Sequence, residues 1–121
     1  MSIEKNTNYG SISVSEDAVA ALAGEVITEC YGVVGMSSAQ VLRDGWAELL
    51  KRENFARGVK VSQKDDGLVI DLYIIIGFGM KISAIAEEAQ KKVKYVLEKS
   101  LSLNISEVNI YVQGVRNINW G

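Results

Sequence analysis

The chain has 121 residues, of which 48% are hydrophobic, a length that suits one domain with a single core. Its 13 basic and 15 acidic residues give a net charge of -2, which argues against a broad electrostatic attraction to nucleic acid or anionic lipid. The single cysteine excludes an intramolecular disulfide, and the absence of histidine removes the commonest general base and the commonest metal ligand.

The N-terminal residues are polar and lack the basic-then-apolar order of a signal peptide. We expect residues 1–9 to be a flexible leader, residues 10–115 to form one domain and residues 116–121 to be a tail. No apolar run approaches the roughly 18 residues needed to span a bilayer. The sequence therefore predicts a cytoplasmic protein with no membrane span of its own.

A short first strand is predicted where Ile12 and Val14 alternate with serines. Ser15 ends it and is a good N-cap for the helix that follows. The apolar stripe of that helix has the spacing of an amphipathic helix and contains Val19, Leu22, Ala23, Val26, Ile27 and Cys30. Cys30 is interpreted as a small buried hydrophobe, because no histidine is present to activate its thiol.

A second, shorter helix is predicted over Val41–Arg52, although Gly45 in its interior costs about 1 kcal/mol relative to alanine. Trp46, Leu49 and Leu50 fall on one side of it. Two interpretations remain open: these side chains close one end of the core, or they form a docking helix for a partner or a membrane surface.

The longest strand signal follows Val59, Val61 and an Asp-Gly hairpin turn at Asp66. Its even positions are apolar without interruption and should face the core: Leu68, Ile70, Leu72, Ile74, Ile76, Phe78 and Met80. Its odd positions form a mixed row, which is typical of a sheet face that is at least partly open.

The odd-numbered face is a candidate interaction face. It carries Tyr73 and Ile75 on the long strand, and Tyr111 and Gln113 on a last strand in which Val108, Ile110 and Val112 alternate with polar residues. Tyrosine offers a large contact area with few rotatable bonds. The alternative is that this face is covered within the chain, by the tail with Trp120 or by the short helix with Trp46.

Between the long strand and the second long helix lies a glycine-containing turn, Gly77–Lys81. Backbone amides before a helix can bind an anion, so Gly77, Gly79 and Lys81 are a weak anion-site candidate. The turn lacks the full spacing of a P-loop and the third glycine of a dinucleotide-binding motif. The helix that follows has the apolar stripe Ile82, Ile85, Ala86, Ala89, Val93, Val96 and Leu97.

The predicted order is strand, helix, short helix, strand, strand, helix, strand. It indicates an α+β two-layer domain of about four mainly antiparallel strands, with two long helices on one face and a short extra helix. Ferredoxin-like and KH-like arrangements are both compatible with this order. We predict no catalytic residues, no metal site and no cofactor, because serines without histidine and two adjacent turn aspartates do not make a catalytic or cation site.

Three blocks of the sequence resemble the bacterial alkaline-shock-protein family, also called the envelope stress response family, of Gram-positive bacteria. The first block comprises Gly10–Ser15, Val19, Leu22, Ala23 and Gly32–Met36, and the second comprises Asp44–Leu50 and Gly58–Val61. The third comprises Tyr73, Gly79–Ile82, Val93 and Val108–Val115. Lys81 and Ser83 depart from the small polar residue and the proline often found at the start of the family's last helix.

The resemblance implies a non-enzymatic cytoplasmic protein linked to envelope stress or envelope homeostasis. In some members a small integral membrane protein brings the protein to the inner face of the membrane, and members are prone to self-association. We therefore expect an interaction or scaffold protein that acts through protein partners and not through nucleic acid. The alternatives are a KH-like nucleic-acid-binding module and an accessory subunit that binds a small anionic ligand.

Overall fold

The computed structural model describes residues 2–38 and 52–116. Two strands open the chain, β1 (Ser2–Thr7) and β2 (Gly10–Ser15), followed by helix α1 (Glu16–Thr28) and strand β3 (Val33–Met36). A 3₁₀ helix (Arg52–Gly58) then precedes β4 (Val59–Lys64) and β5 (Gly67–Gly77). Helix α2 (Ile82–Leu101) and β6 (Ile105–Arg116) complete the described elements.

The predicted α+β class is confirmed, with β5 as the central strand of the main sheet. β3 and β4 both pair antiparallel with β5, β4 along Gly67–Leu72 and β3 along Ile74–Ile76. β6 pairs with β5 in parallel orientation, so the sheet is mixed. β1 and β2 form a separate antiparallel hairpin.

The core lies between α1, α2 and the even-numbered face of β5, as the apolar alternation predicts. Leu68, Ile70, Leu72, Ile74 and Ile76 are buried there. The helices contribute their apolar stripes, which include Val19, Ala23, Ile27, Ala89, Val93 and Leu97. Burial of these side chains removes apolar surface from water and is the main force that holds the two layers together.

The Ser15 cap is confirmed, because its side-chain oxygen accepts a hydrogen bond from the Ala18 N–H at 3.0 Å. Glu16 and Asp17 occupy the first turn of α1, where carboxylates interact favourably with the helix dipole. Helix α2 is capped at its C-terminus by Ser102, whose φ of 53° lies in the left-handed region and whose N–H donates to the Glu98 carbonyl.

The structure of the N-terminal residues differs from the flexible leader that the sequence predicts. Ser2–Thr7, inside the expected leader 1–9, forms a strand that pairs along its length with β2. Ile3 is the one apolar residue after Met1 in this stretch and is buried. A single apolar residue cannot show the alternation from which a strand is predicted. The strand depends instead on backbone hydrogen bonds to β2, which a local sequence pattern does not reveal.

Two further elements differ from expectation. Val33–Met36 forms strand β3, which is absent from the predicted order, and Gly35 there lies beside a register shift in the pairing with β5. The 3₁₀ helix Arg52–Gly58 lies between the end of the predicted short helix at Arg52 and the strand that begins at Val59, where the predicted order has no element. The two missed strands, β1 and β3, account for the larger number of strands observed.

The long strand ends earlier than its apolar period suggests. β5 stops at Gly77, and Phe78 is 70% exposed although its position in the series placed it in the core. The odd-numbered row is less open than expected: Val69, Tyr73 and Ile75 are buried. An apolar row shows which side chains favour burial, but the neighbours that cover them come from tertiary packing.

Other predictions fall outside the described residues. Most of the short helix Val41–Arg52, including Trp46, Leu49 and Leu50, belongs to the segment 39–51. The tail that carries Trp120 is likewise outside them from residue 117 onward, whereas Arg116 is the last residue of β6. These predictions stand as made.

Candidate functional site

Four segments meet at one end of the main sheet: the end of α1, the start of β3, the turn after β5 and the end of β6. The Gly77 N–H donates to the Gly32 carbonyl at 3.0 Å, and the Phe78 N–H donates to the Arg116 carbonyl at 2.6 Å. These bonds attach the turn after β5 to the strands on both sides. They also fix the direction in which the residues of that turn project.

The same bonds bear on the anion-site candidate Gly77, Gly79 and Lys81. The N–H groups of Gly77 and Phe78 already donate hydrogen bonds within the chain, and the Met80 N–H donates to the Gly77 carbonyl at 3.3 Å. Gly79 has a φ of +86°, which glycine adopts without strain. Three amides of this turn, those of Gly77, Phe78 and Met80, thus already have acceptors within the chain, which leaves fewer donors for an anion.

Large apolar side chains are exposed at this end of the sheet. Tyr31 is 80% exposed, Phe78 70% and Ile82 42%. We call these three residues the end surface. Single exposed hydrophobic residues are ordinary, but several at one end of a sheet are typical of a contact surface.

Beside the end surface lies a groove of about 400 Å³ between the end of α1 and the start of α2. Its lining is mostly apolar, and it is formed by Glu29, Cys30, Tyr31, Met80, Lys81, Ala84, Ile85, Glu88 and Lys92. Two ion pairs lie at its rim, Lys92 with Glu29 at 4.0 Å and Lys91 with Glu88 at 3.7 Å. The groove therefore offers an apolar floor between charges of both signs.

Cys30 lies in the wall of this groove and is buried, as predicted. Its Sγ donates to the Val26 carbonyl at 3.6 Å. Burial raises the pKa of the thiol, and Glu29 raises it further, whereas Lys92 lowers it. A raised pKa disfavours the thiolate that nucleophilic chemistry requires, which agrees with the structural role assigned from the sequence.

The groove and the end surface depend on a close contact at Gly32. Its φ is +87°, and a β-carbon at this position would meet the Cδ1 and Cγ1 atoms of Ile85. Only glycine combines this backbone conformation with so close an approach of α2. Gly32 thereby sets the spacing between the end of α1 and the start of α2.

The predicted tyrosine face is present but only partly accessible. Tyr73 and Tyr111 are partners in the β5–β6 register and stack with ring centroids 5.0 Å apart and planes 16° from parallel. Tyr73 and Ile75 are buried, Gln113 is half-buried and Tyr111 is 41% exposed. The accessible part of this face is therefore its β6 edge.

The surroundings of Tyr73 change its acidity. Burial raises the pKa of its phenol, and Asp71 and then Tyr111 raise it further. Asp71 itself accepts a hydrogen bond from the Asn109 side chain at 2.9 Å. Tyr73 is thus a neutral packing residue at neutral pH.

Within residues 2–38 and 52–116, no group of three or more histidine, cysteine, aspartate or glutamate side chains is arranged to hold a metal ion. Over the same ranges, no helix combines the length and the apolar character needed to cross a membrane. The described surface thus offers contact areas and a groove, with no assembled metal centre among them.

Sequence reasoning missed the end surface, because it assigned Phe78 to the buried series and did not single out Tyr31. Gly77 and Gly79 were the available signal. Glycines on both sides of an aromatic residue favour the end of a strand, after which the alternation no longer predicts burial.

The family model of alkaline shock protein 23, described as a family with a cell envelope-related function, matches residues 4–117. The uncharacterized protein YloU of Bacillus subtilis is 48% identical over 119 residues, which cover 98% of this chain and 99% of that protein. The uncharacterized protein Spy1614 of Streptococcus pyogenes is 40% identical over 116 residues, which cover 96% of each chain. The uncharacterized protein YqhY of Bacillus subtilis is 30% identical over 112 residues, covering 93% of this chain and 82% of that protein. No solved structure matches the chain.

Proposed function

This chain belongs to the alkaline shock protein 23 family, whose function is related to the cell envelope, and on that premise we propose that it is a non-enzymatic interaction protein. It acts as a scaffold at the inner face of the membrane and takes part in envelope homeostasis or the envelope stress response. A small integral membrane protein holds it there. Its working parts are contact surfaces, of which the exposed apolar residues and the groove at one end of the sheet are the candidates.

The observation that carries this proposal is the end surface beside the groove. Tyr31, Phe78 and Ile82 expose apolar area where the backbone is held in place by hydrogen bonds to two strands. Side chains on a rigid support lose less conformational entropy when they bind than side chains on a loose loop. Met80 and Ala84, which line the groove, extend the same apolar area.

The occupant we propose is an amphipathic cytoplasmic segment of the membrane protein. Its apolar side chains would lie in the groove, and its charged side chains would meet the Glu29–Lys92 and Glu88–Lys91 pairs at the rim. Such a rim accepts charges of either sign after small side-chain movements. Exposed ion pairs contribute little on their own, so the affinity would come mainly from the apolar floor.

The two alternative functions have less support. Lys91 and Lys92 of α2 each have an acidic partner within 4.0 Å, which lowers the positive potential that they offer to phosphates. A small anionic ligand at Gly77–Lys81 would have to compete with the hydrogen bonds that already close the turn. Protein binding therefore remains the best-supported function.

The test uses the full chain with Tyr31 and Phe78 both replaced by serine. Tyr95→Ser is the matched control, because Tyr95 is 61% exposed on α2 and does not line the groove. We expect the double variant to keep its melting temperature but to lose sedimentation with membranes from the native cell. The control should sediment like the wild type. Unchanged sedimentation of a folded double variant would contradict a role of the end surface.

A further inference from the structure

β6 is a twelve-residue strand at the edge of the described part of the main sheet. β6 pairs with β5 on one side, and no strand within the described ranges pairs with its other side. An open strand edge is a template for pairing with another strand. The directions of the N–H and C=O groups of β6 decide which of them a partner strand could bond to.

The parallel register shows which groups point outward. The Leu68 N–H donates to the carbonyl of Asn104 just before β6, and the Phe78 N–H just after β5 donates to the carbonyl of Arg116, so the even-numbered residues of β5 face β6. With Ile70 opposite Val108, an even-numbered residue of β5 bonds to the two odd-numbered neighbours of its partner. The backbone groups of Val108, Ile110 and Val112 therefore point away from β5.

A side-chain contact agrees with this assignment. The Gln90 side chain of α2 donates to the Val108 carbonyl at 2.8 Å, as is expected of an acceptor that β5 does not use. Register shifts interrupt the pairing near each end of β6. The regular, outward-facing part of the edge is therefore Glu107–Val112.

We propose that this edge pairs antiparallel with the same edge of a second copy of the chain, about a two-fold axis at Ile110. A two-fold axis perpendicular to the sheet places the helices of both copies on the same face of the combined sheet. Residues that meet across the axis are therefore either both even-numbered or both odd-numbered. With the axis at Ile110, Val108 meets Val112 of the second copy, and Asn109 meets Tyr111. The outward groups of all three even-numbered residues then form a ladder, in which the Val108 carbonyl accepts from the second copy with the lone pair that Gln90 does not use.

The side chains are compatible with this pairing. Glu107 would lie opposite Gln113, so no two like charges meet across the axis. Tyr111, which is 41% exposed, would cover part of its ring against Asn109 of the second copy and extend the Tyr73–Tyr111 stack across the new boundary. Glu107–Val112 contains neither lysine nor proline, the residues that commonly protect a strand edge from pairing.

This inference deepens the proposed function, because it rests on the premise that the chain acts through contact surfaces and names a second copy as one partner. The two surfaces are separate. The end surface is at the end of the sheet and binds the membrane protein, whereas the β6 edge binds a second copy. A variant of one should leave the other intact.

The first measurement is the solution mass of the purified full chain, which is 13.2 kDa for one copy. The wild type should reach twice that mass as concentration rises. Tyr111→Lys places a charge beside the two-fold axis in both copies and should weaken the dimer by about tenfold or more. Tyr95→Lys, the same change at an exposed site on α2, should leave it unaffected.

The second measurement tests the register and does not depend on the stability of Tyr111→Lys. In a Cys30→Ala background, Asn109→Cys protein is mixed with Tyr111→Cys protein under mild oxidation. Opposed residues of this kind have Cα atoms about 4.5 Å apart, within the range for a disulfide. We expect covalent dimers to form in the mixture several times more efficiently than in either protein alone or with Tyr95→Cys.

Three results would overturn the inference. A wild type that stays monomeric at its highest soluble concentration has no such dimer, and its β6 edge would then be free for a different protein. A dimer that Tyr111→Lys leaves unchanged uses another surface. A mixture that crosslinks no better than the Tyr95→Cys control excludes the register. Loss of membrane sedimentation in the end-surface variant bears only on the proposed function.

Discussion

Replacing Gly32 with alanine should destabilise the fold through two effects. The left-handed φ of +87° costs an L-residue about 1–2 kcal/mol. The new β-carbon would also meet Ile85, with Cγ1 only 2.8 Å away and Cδ1 closer still. Ile85 is buried and β-branched, so it cannot simply rotate away, and overpacking of this kind costs about 1–3 kcal/mol. The free energy of unfolding should therefore fall by about 2–5 kcal/mol.

Gly79 provides a matched control, because its φ is +86° and nothing lies within 4 Å of the position of its β-carbon. Gly79→Ala should lower the free energy of unfolding only by the cost of the left-handed backbone conformation, about 1–2 kcal/mol. Urea unfolding with an unchanged slope measures both variants. Adding Ile85→Val to Gly32→Ala should cost less than the sum of the single changes, since the Cδ1 contact disappears. Equal losses for the two alanine variants would refute the view that Gly32 sets the helix spacing.

Three further predictions concern single side chains. Ser15→Ala should lower the free energy of unfolding by about 1 kcal/mol, because α1 loses its N-cap, and an unchanged urea midpoint would contradict that role. The pKa of Tyr73 is raised in the folded chain, so its contribution is complete below the unfolded value of about 10 and is lost as pH rises above it. The wild type should therefore lose stability at alkaline pH more steeply than Tyr73→Phe, and parallel pH profiles would refute the effect. Because burial raises the pKa of Cys30, its thiol should react with an alkylating reagent much more slowly in the folded chain than in urea at the same neutral pH. Equal alkylation rates would show that the thiol is accessible.

Elements with a long apolar period were predictable from the sequence. The even-numbered series of β5 and the stripe of α2 each repeat over several turns or pairs, and both are buried except where Phe78 follows β5 and Ile82 begins α2. Capping and turn residues also marked where elements begin and end, because Ser15 caps α1 and Asp66 lies in the hairpin turn between β4 and β5. For these segments local propensity and tertiary packing agree.

Features that depend on distant neighbours were not predictable in this way. β1 has a single apolar residue after Met1, and β3 is four residues long, so both are defined by the strands that pair with them. Phe78 continues the apolar alternation in the sequence, yet β5 ends at Gly77 and the side chain of Phe78 is exposed to solvent. The burial of Tyr73 and Ile75 likewise reflects what packs over the odd-numbered face, which the alternation does not encode.

The most direct test of the proposed function is photocrosslinking in the native cell with a photoreactive amino acid at position 78. Position 95 on α2 is the control, since its tyrosine is similarly exposed but lies away from the groove. If the end surface holds a membrane protein, position 78 should give a covalent adduct of defined mass in the membrane fraction, and position 95 should give little or none. Equal crosslinking at the two positions, or no adduct at position 78 in a folded protein, would contradict the assignment of the end surface as a binding site.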